Sequence, residues 1–127
     1  MKMIATTDAP TPAGHYSQAM VHDNLVYVSG QLPVIPVSGE KCTGPIEEQT
    51  QQALDNLAAI LKASGSDIHR VIKTTVYVSD ISLWGRVNAV YADFFGDHRP
   101  ARAVVHTRDL HFGFLVEIDA VAAVDDE

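Results

Sequence analysis

The run Pro45-Ile46-Glu47-Glu48-Gln49-Thr50-Gln51-Gln52-Ala53-Leu54-Asp55-Asn56-Leu57-Ala58-Ala59-Ile60-Leu61-Lys62-Ala63 decides the fold, together with Val71-Ile72-Lys73-Thr74-Thr75-Val76-Tyr77-Val78 just beyond it. In the first, Ile46, Ala53, Leu54, Leu57, Ile60 and Leu61 recur at helical steps and wind into one apolar stripe, with Gln51, Gln52, Asp55 and Lys62 away from it. Proline suits the first turn, Glu47 and Glu48 favour the positive end of the helix dipole, and Gly65 follows the finish. The second run, within a region from Ile68 to Val78, is dense in β-branched and aromatic residues and reads as a long strand. A helix with a single apolar stripe packs on a sheet.

Working outward, Leu25-Val26-Tyr27-Val28-Ser29 is a β-prone run, and after Gly30 the segment Gln31-Leu32-Pro33-Val34-Ile35 reads as a second early strand. Residues 36–44 carry glycine and proline punctuation and read as a loop. Past the long strand, Asp80 or Ser82 caps a second amphipathic helix, in which Leu83, Val87, Val90, Tyr91 and Phe94 keep helical spacing up to Gly96 despite Gly85 near its start. Strands near Ala101–Thr107 and Phe114–Ala123 complete the order ββαβαββ. The expected class is α+β: one domain over residues 1–127, one mixed sheet and both helices on one face. If the last strand alternates, Val116, Ile118, Ala120 and Ala122 share one side, and Leu115, Glu117, Asp119 and Val121 the other. Both sides carry apolar residues, so the open sheet face points to a closed symmetric oligomer with clefts between subunits.

Length and charge narrow the function. A chain of 127 residues with ordinary apolar and charged fractions fits one hydrophobic core. No apolar run approaches the roughly 18 residues needed to span a bilayer, and the start turns polar before a signal-peptide core forms, so insertion and export are not expected. The lone Cys42 fits a reducing cytoplasm. A net charge of −7 and the acidic tail Asp125-Asp126-Glu127 oppose binding to phosphate backbones, whereas a local spot such as Arg99 with Arg102 suits a small anion.

Dinucleotide, P-loop and serine-hydrolase motifs are absent, and the six histidines, His15, His22, His69, His98, His106 and His111, show no helical metal-ligand spacing. Two charges set among apolar, β-prone residues stand out instead: Arg102 after Pro100-Ala101, and Glu117 within Phe114–Val121. A desolvated charge is costly unless paired, so these residues form either a structural ion pair or a ligand site. A hairpin around His106–Phe114 would set them opposite each other. Arginine grips a carboxylate through two parallel hydrogen bonds, and glutamate moves a proton or holds a water. Tyr16 after Gly14, Ser29 beside Gly30, and Asn88 in the second helix are further polar candidates, each with an ordinary packing, turn or local-bonding role as the alternative.

With these residues laid out, the chain resembles the RidA/YjgF family of enamine/imine deaminases. The resemblance is carried by Gly14-His15-Tyr16-Ser17-Gln18-Ala19, Tyr27-Val28-Ser29-Gly30-Gln31-Leu32-Pro33, Gln49-Thr50 with Ala53-Leu54-Asp55-Asn56-Leu57, Val87-Asn88-Ala89-Val90-Tyr91 with Phe94-Phe95, Pro100-Ala101-Arg102 and Val116-Glu117-Ile118. It implies a chorismate-mutase-like subunit in a homotrimer with clefts between neighbours. The implied activity is cofactor-independent, metal-free hydrolysis of reactive 2-imino acids such as 2-aminoacrylate to 2-keto acids and ammonia. By resemblance, Arg102 binds the substrate carboxylate, Glu117 orients water and assists proton transfer, Tyr16 and Ser29 line the cleft, Asn88 supports it, and the backbone at Ala103-Val104 offers hydrogen bonds. The chain departs from the family at Val104, where many deaminases carry cysteine, at His15, where proline is usual, and at Leu110-His111-Phe112-Gly113-Phe114, where Leu-Pro is common. The last departure leaves room for a larger acid such as 2-aminomuconate. A non-catalytic carboxylate-binding or protective module would use Arg102 without needing Glu117. Ribonuclease activity, attached to some relatives, is disfavoured by the lack of a basic stripe.

Overall fold

In the computed structural model, which describes residues 1–124, the elements follow as β1 (Lys2–Ile4), β2 (Ala19–His22), β3 (Leu25–Gln31), α1 (Ile46–Ala63), β4 (Val71–Val78), α2 (Trp84–Phe95), β5 (Ala101–His106) and β6 (Val116–Ala123). The acidic tail Asp125-Asp126-Glu127 lies outside the described residues. The strands form one six-stranded sheet in the order β1-β2-β3-β6-β4-β5. It is mixed because β5 runs parallel to β4 while the other pairings are antiparallel. A parallel neighbour requires a long crossover, and α2 supplies it.

The early strands differ from expectation. Residues 31–35 do not form a second strand: Pro33 and Pro36 cannot donate to a ladder, and only an isolated bridge joins Val34 to Lys41. The partner of β3 is β2, which returns through Asp23 (φ 51°) and Asn24 (φ 63°). Two consecutive left-handed residues match the right-handed twist of a hairpin, and Asp and Asn tolerate that conformation. The order is therefore βββαβαββ, with β1 added at the edge.

Both helices lie on one face. Leu54, Leu57, Ile60 and Leu61 of α1, Val87 and Phe95 of α2, and Val26, Val76, Val78, Val116 and Ile118 of the sheet are buried in one core. Burying each such side chain contributes about 2 kcal/mol. The alternation expected in β6 is observed: Val116, Ile118, Ala120 and Ala122 are buried, while Glu117, Asp119 and Val121 are partly open on the other face. That open face and its margins present Tyr27 (47% exposed), Ile72 (48%) and Val105 (39%).

Several buried polar side chains act as loop anchors. Gln18 accepts from Thr6 N and donates to Thr6 O and Pro10 O. Asn56 donates to Leu32 O and Val34 O, and Gln49 accepts from Leu115 N while donating to Gly44 O. These bonds satisfy loop backbone that would otherwise be orphaned, and they fix the segments around the cavities described next.

Candidate active site

Glu117 lies on the open sheet face, register partner of Tyr77, at the rim of a cavity of about 270 Å³ lined also by Tyr16, Ser29, Gly30, Leu32 and His111. The bulge between Val28 and Gln31 interrupts the β3–β6 ladder at this point and makes room for the carboxylate. Gly30 is required by proximity: a Cβ built there collides with Oε2 of Glu117. Its backbone is not left-handed, so alanine fits the chain but not the carboxylate. Gly30→Ala is accordingly expected to displace Glu117 by about an ångström and lower kcat roughly 100-fold. Thermal unfolding should change little, which steady-state kinetics and calorimetry on the same preparation will check.

Burial raises the pKa of Glu117; His111 opposes that shift and Asp119 adds to it. A half-buried carboxylate with raised proton affinity suits taking a proton from water and returning it. The Ser29 hydroxyl donates to Ser17 O at 2.7 Å, so its lone pairs are what it offers the cavity. Tyr16 is half exposed, and its phenol oxygen accepts from Ala13 N at 3.3 Å, which folds its own loop.

Arg102 is elsewhere. The expected hairpin between its strand and that of Glu117 does not form, because β4 lies between them: Arg102 is in register with Thr74 and Glu117 with Tyr77. Two strand spacings separate them, about 10 Å across the sheet. They also emerge on opposite faces, and Arg102 is exposed rather than set in apolar surroundings. Among the described residues no ion pair joins Arg102 to Glu117, so the internal salt bridge is excluded within one chain.

One stripe of α2 holds the guanidinium instead. Its centre lies 4.5 Å from the Trp84 ring and 4.8 Å from the Tyr91 ring, and Nη1 donates to Asn88 Oδ1 at 3.0 Å. Tyr91 is anchored through its hydroxyl to Thr74 Oγ1 at 2.7 Å. Residues 84, 88 and 91 are successive turns of one helical face, which explains the spacing. The apolar spacing marks Tyr91 only as a packing position and does not include Trp84; their aromatic character at those steps before an arginine strand is the available signal. Beside Arg102 a cavity of about 420 Å³ is lined by Asn88, Tyr91, Phe95, His98, Arg99 and Pro100, a positive rim suited to an anion. Val104 turns toward the helix side and packs against the core, so only its backbone, on the edge strand β5, is available for polar contact.

The candidate residues thus fall in two separate groups: Glu117 with Tyr16, Ser29 and Gly30 in one, Arg102 with Asn88 in the other. Among the described residues no three His, Cys, Asp or Glu side chains gather as a metal-binding group, and no helix is long and apolar enough to cross a membrane. Residues 6–124 match the family model described as endoribonuclease L-PSP. The chain belongs to the RidA/YjgF (endoribonuclease L-PSP) family. Within it, this RidA/YjgF chain is 45% identical over 121 residues to the 2-iminobutanoate/2-iminopropanoate deaminase of Rattus norvegicus, covering 95% of this chain and 88% of that one. The crystal structure of the E. coli YjgF gene product superposes with a TM-score of 0.92 at 39% identity, covering 97% of this chain and 98% of that one. E. coli TdcF with bound serine gives a TM-score of 0.93 at 34% identity, covering 98% of this chain and all of that one (100%). Against these, the chorismate-mutase-like α+β subunit expected for the RidA/YjgF family is the architecture observed.

Proposed function

We propose that this protein is a cofactor-independent deaminase that hydrolyses 2-iminobutanoate, 2-iminopropanoate and the related 2-aminoacrylate to 2-keto acids and ammonia. It works as a homotrimer in the cytoplasm, with each site between two subunits. The observation that carries the reading is the Glu117 cavity, where a half-buried carboxylate of raised proton affinity faces Tyr16 and Ser29. The names of the mammalian relatives support the reaction class.

The separation of Arg102 from Glu117 supports the trimer. A carboxylate substrate contacting both cannot do so within one chain, since the two side chains emerge on opposite faces. The partner subunit's Arg102, presented from an edge strand, completes the site when the open sheet faces associate. In the assembled cleft the guanidinium holds the substrate carboxylate through paired hydrogen bonds. Glu117 orients a water against the imine carbon and takes its proton as the C–O bond forms. The imine nitrogen takes the π pair and is protonated. In the collapse of the carbinolamine the hydroxyl loses its proton as the keto group forms, Glu117 returns its proton to the nitrogen, the C–N bond breaks and ammonia leaves. The imine carbon is already electrophilic, so positioning and proton transfer suffice.

A second reading, a larger acid such as 2-aminomuconate, is favoured by one feature. The Glu117 cavity adjoins another of about 200 Å³ that shares Tyr16, Gly30 and Leu32 and reaches Phe112 and Lys41. Freshly generated 2-aminoacrylate, 2-iminobutanoate and 2-aminomuconate assayed side by side for ammonia release test both readings. Acceleration of none would overturn the proposal. The ribonuclease reading suggested by the family's other name has little support in a chain of net charge −7.

A further inference from the structure

We infer that His111 is the second proton carrier of the site, working opposite Glu117; the inference rests on the deaminase reading and adds a residue to it. His111 and Glu117 line the same cavity, His111 from the turn His111–Gly113 and Glu117 from β6. The turn is built to hold the imidazole there. Phe112 adopts a left-handed conformation (φ 61°, ψ 17°), followed by Gly113 at φ 74°. A bulky residue rarely accepts that backbone, and it persists only where the surroundings impose it. They do so here: Phe114 is buried, Phe114 N donates to His111 O at 3.1 Å, and Leu115 N donates to Gln49 Oε1 at 2.9 Å. On the outer side, the Phe112 ring meets the His111 ring edge-on at 5.8 Å and carries the Lys41 ammonium 4.6 Å from its centre.

The other titratable groups around this space do not compete for the role. Tyr77 on β4 keeps its proton more firmly than an ordinary phenol, chiefly through burial, and reaches Asp119 at 3.4 Å. Asp119 on β6 acts on Glu117 through its charge but does not line the cavity. Lys41 lies on Phe112, and the Tyr16 phenol oxygen accepts from its own loop. Imidazole is the side chain that readily exchanges a proton near neutral pH. The electrostatic coupling of His111 to Glu117 agrees with the cavity geometry.

The proton balance closes with these two groups. In the addition, the Glu117 carboxylate takes a proton from water as oxygen bonds to the imine carbon, and the His111 imidazolium protonates the imine nitrogen, which receives the π pair. In the collapse, neutral His111 takes the hydroxyl proton as C=O forms, and protonated Glu117 delivers its proton to the departing nitrogen. Ammonia leaves, and both side chains return to their starting states.

His111 is exposed, so its replacement leaves the core intact. His111→Ala and His111→Gln are expected to lower kcat for 2-iminobutanoate roughly 100-fold with KM nearly unchanged. The part of the wild-type kcat/KM pH profile that does not come from Glu117 should disappear, and added imidazole should restore turnover to His111→Ala in a saturable manner. A variant that keeps the wild-type rate and pH profile overturns the role of His111. So does one that is slow but keeps the wild-type profile and gains nothing from imidazole. A wild-type protein releasing no ammonia would instead refute the deaminase reading itself.

Discussion

Glu117→Gln is expected to lower kcat about 1000-fold while leaving KM and product binding nearly unchanged, because it removes a proton acceptor and preserves the shape of the cavity. The amide is nearly isosteric with the carboxylate, and Gly30 leaves room for either. The pH profile carries the same information. Burial, reinforced by Asp119 and opposed by His111, raises the folded-state pKa of Glu117, and the catalytic form is the ionised one. Wild-type kcat/KM should therefore fall as pH drops through a value above the ordinary carboxylate range, and that acid limb should vanish in Glu117→Gln. Stopped-flow consumption of the imine across pH, with calorimetric titration of the 2-keto acid, separates chemistry from binding. A variant that binds and protects as well as wild type, with no turnover seen, would favour the non-catalytic binding module.

Arg102→Ala should act on the other half of the reaction coordinate. Two charge-assisted hydrogen bonds to a substrate carboxylate are together worth about 4 kcal/mol, which corresponds to roughly 1000-fold in kcat/KM, mostly through KM. Arg102→Lys should recover less than a tenth of the loss. An ammonium supplies charge, but it does not reproduce the planar fork held between Trp84 and Tyr91 and bonded to Asn88. Initial-rate kinetics over a wide substrate range check both variants, with an unchanged unfolding midpoint as the control for this exposed side chain.

How much could be read in advance depended on how local each signal is. The α1 stripe from Ile46 to Leu61 and the alternation of Val116, Ile118, Ala120 and Ala122 are short-range patterns, and both appear where expected. The Asp23-Asn24 turn is equally local, but its signal, a pair tolerant of left-handed backbone, competes with Gly30 and the apolar Val34-Ile35 just beyond it. Lys2–Ile4 is too short to declare itself as a strand. The hairpin drawn through Arg102 and Glu117 failed for a different reason. Consecutive strands usually pair, but here β4 is inserted between them by the α2 crossover, a long-range choice that no spacing between residues 102 and 117 encodes.

The candidate site shows the same division. Tyr16, Ser29, Gly30 and Glu117 fall on one cavity although they lie far apart in the chain, and the link is the β3–β6 pairing with its bulge. Asn88 meets Arg102 through helix geometry. His111, part of the Leu110–Phe114 departure from the family pattern, lines that cavity directly. Gln18, Gln49 and Asn56 belong to the resembling blocks for a plain physical reason, since each ties down loop backbone beside the cavities.

If one site takes Arg102 from one subunit and Glu117 from its neighbour, mixing the two inactive variants restores activity. Arg102→Ala and Glu117→Gln protein, unfolded together in equal amounts and refolded, should assort randomly into trimers. In every mixed trimer one of the three interfaces joins an intact Arg102 to an intact Glu117, and about three quarters of the trimers are mixed, so about a quarter of wild-type ammonia release from 2-iminobutanoate should return. Recovery at that level is expected for a site shared between subunits. A mixture that assembles into hybrid trimers and stays as inactive as its two parents would contradict it.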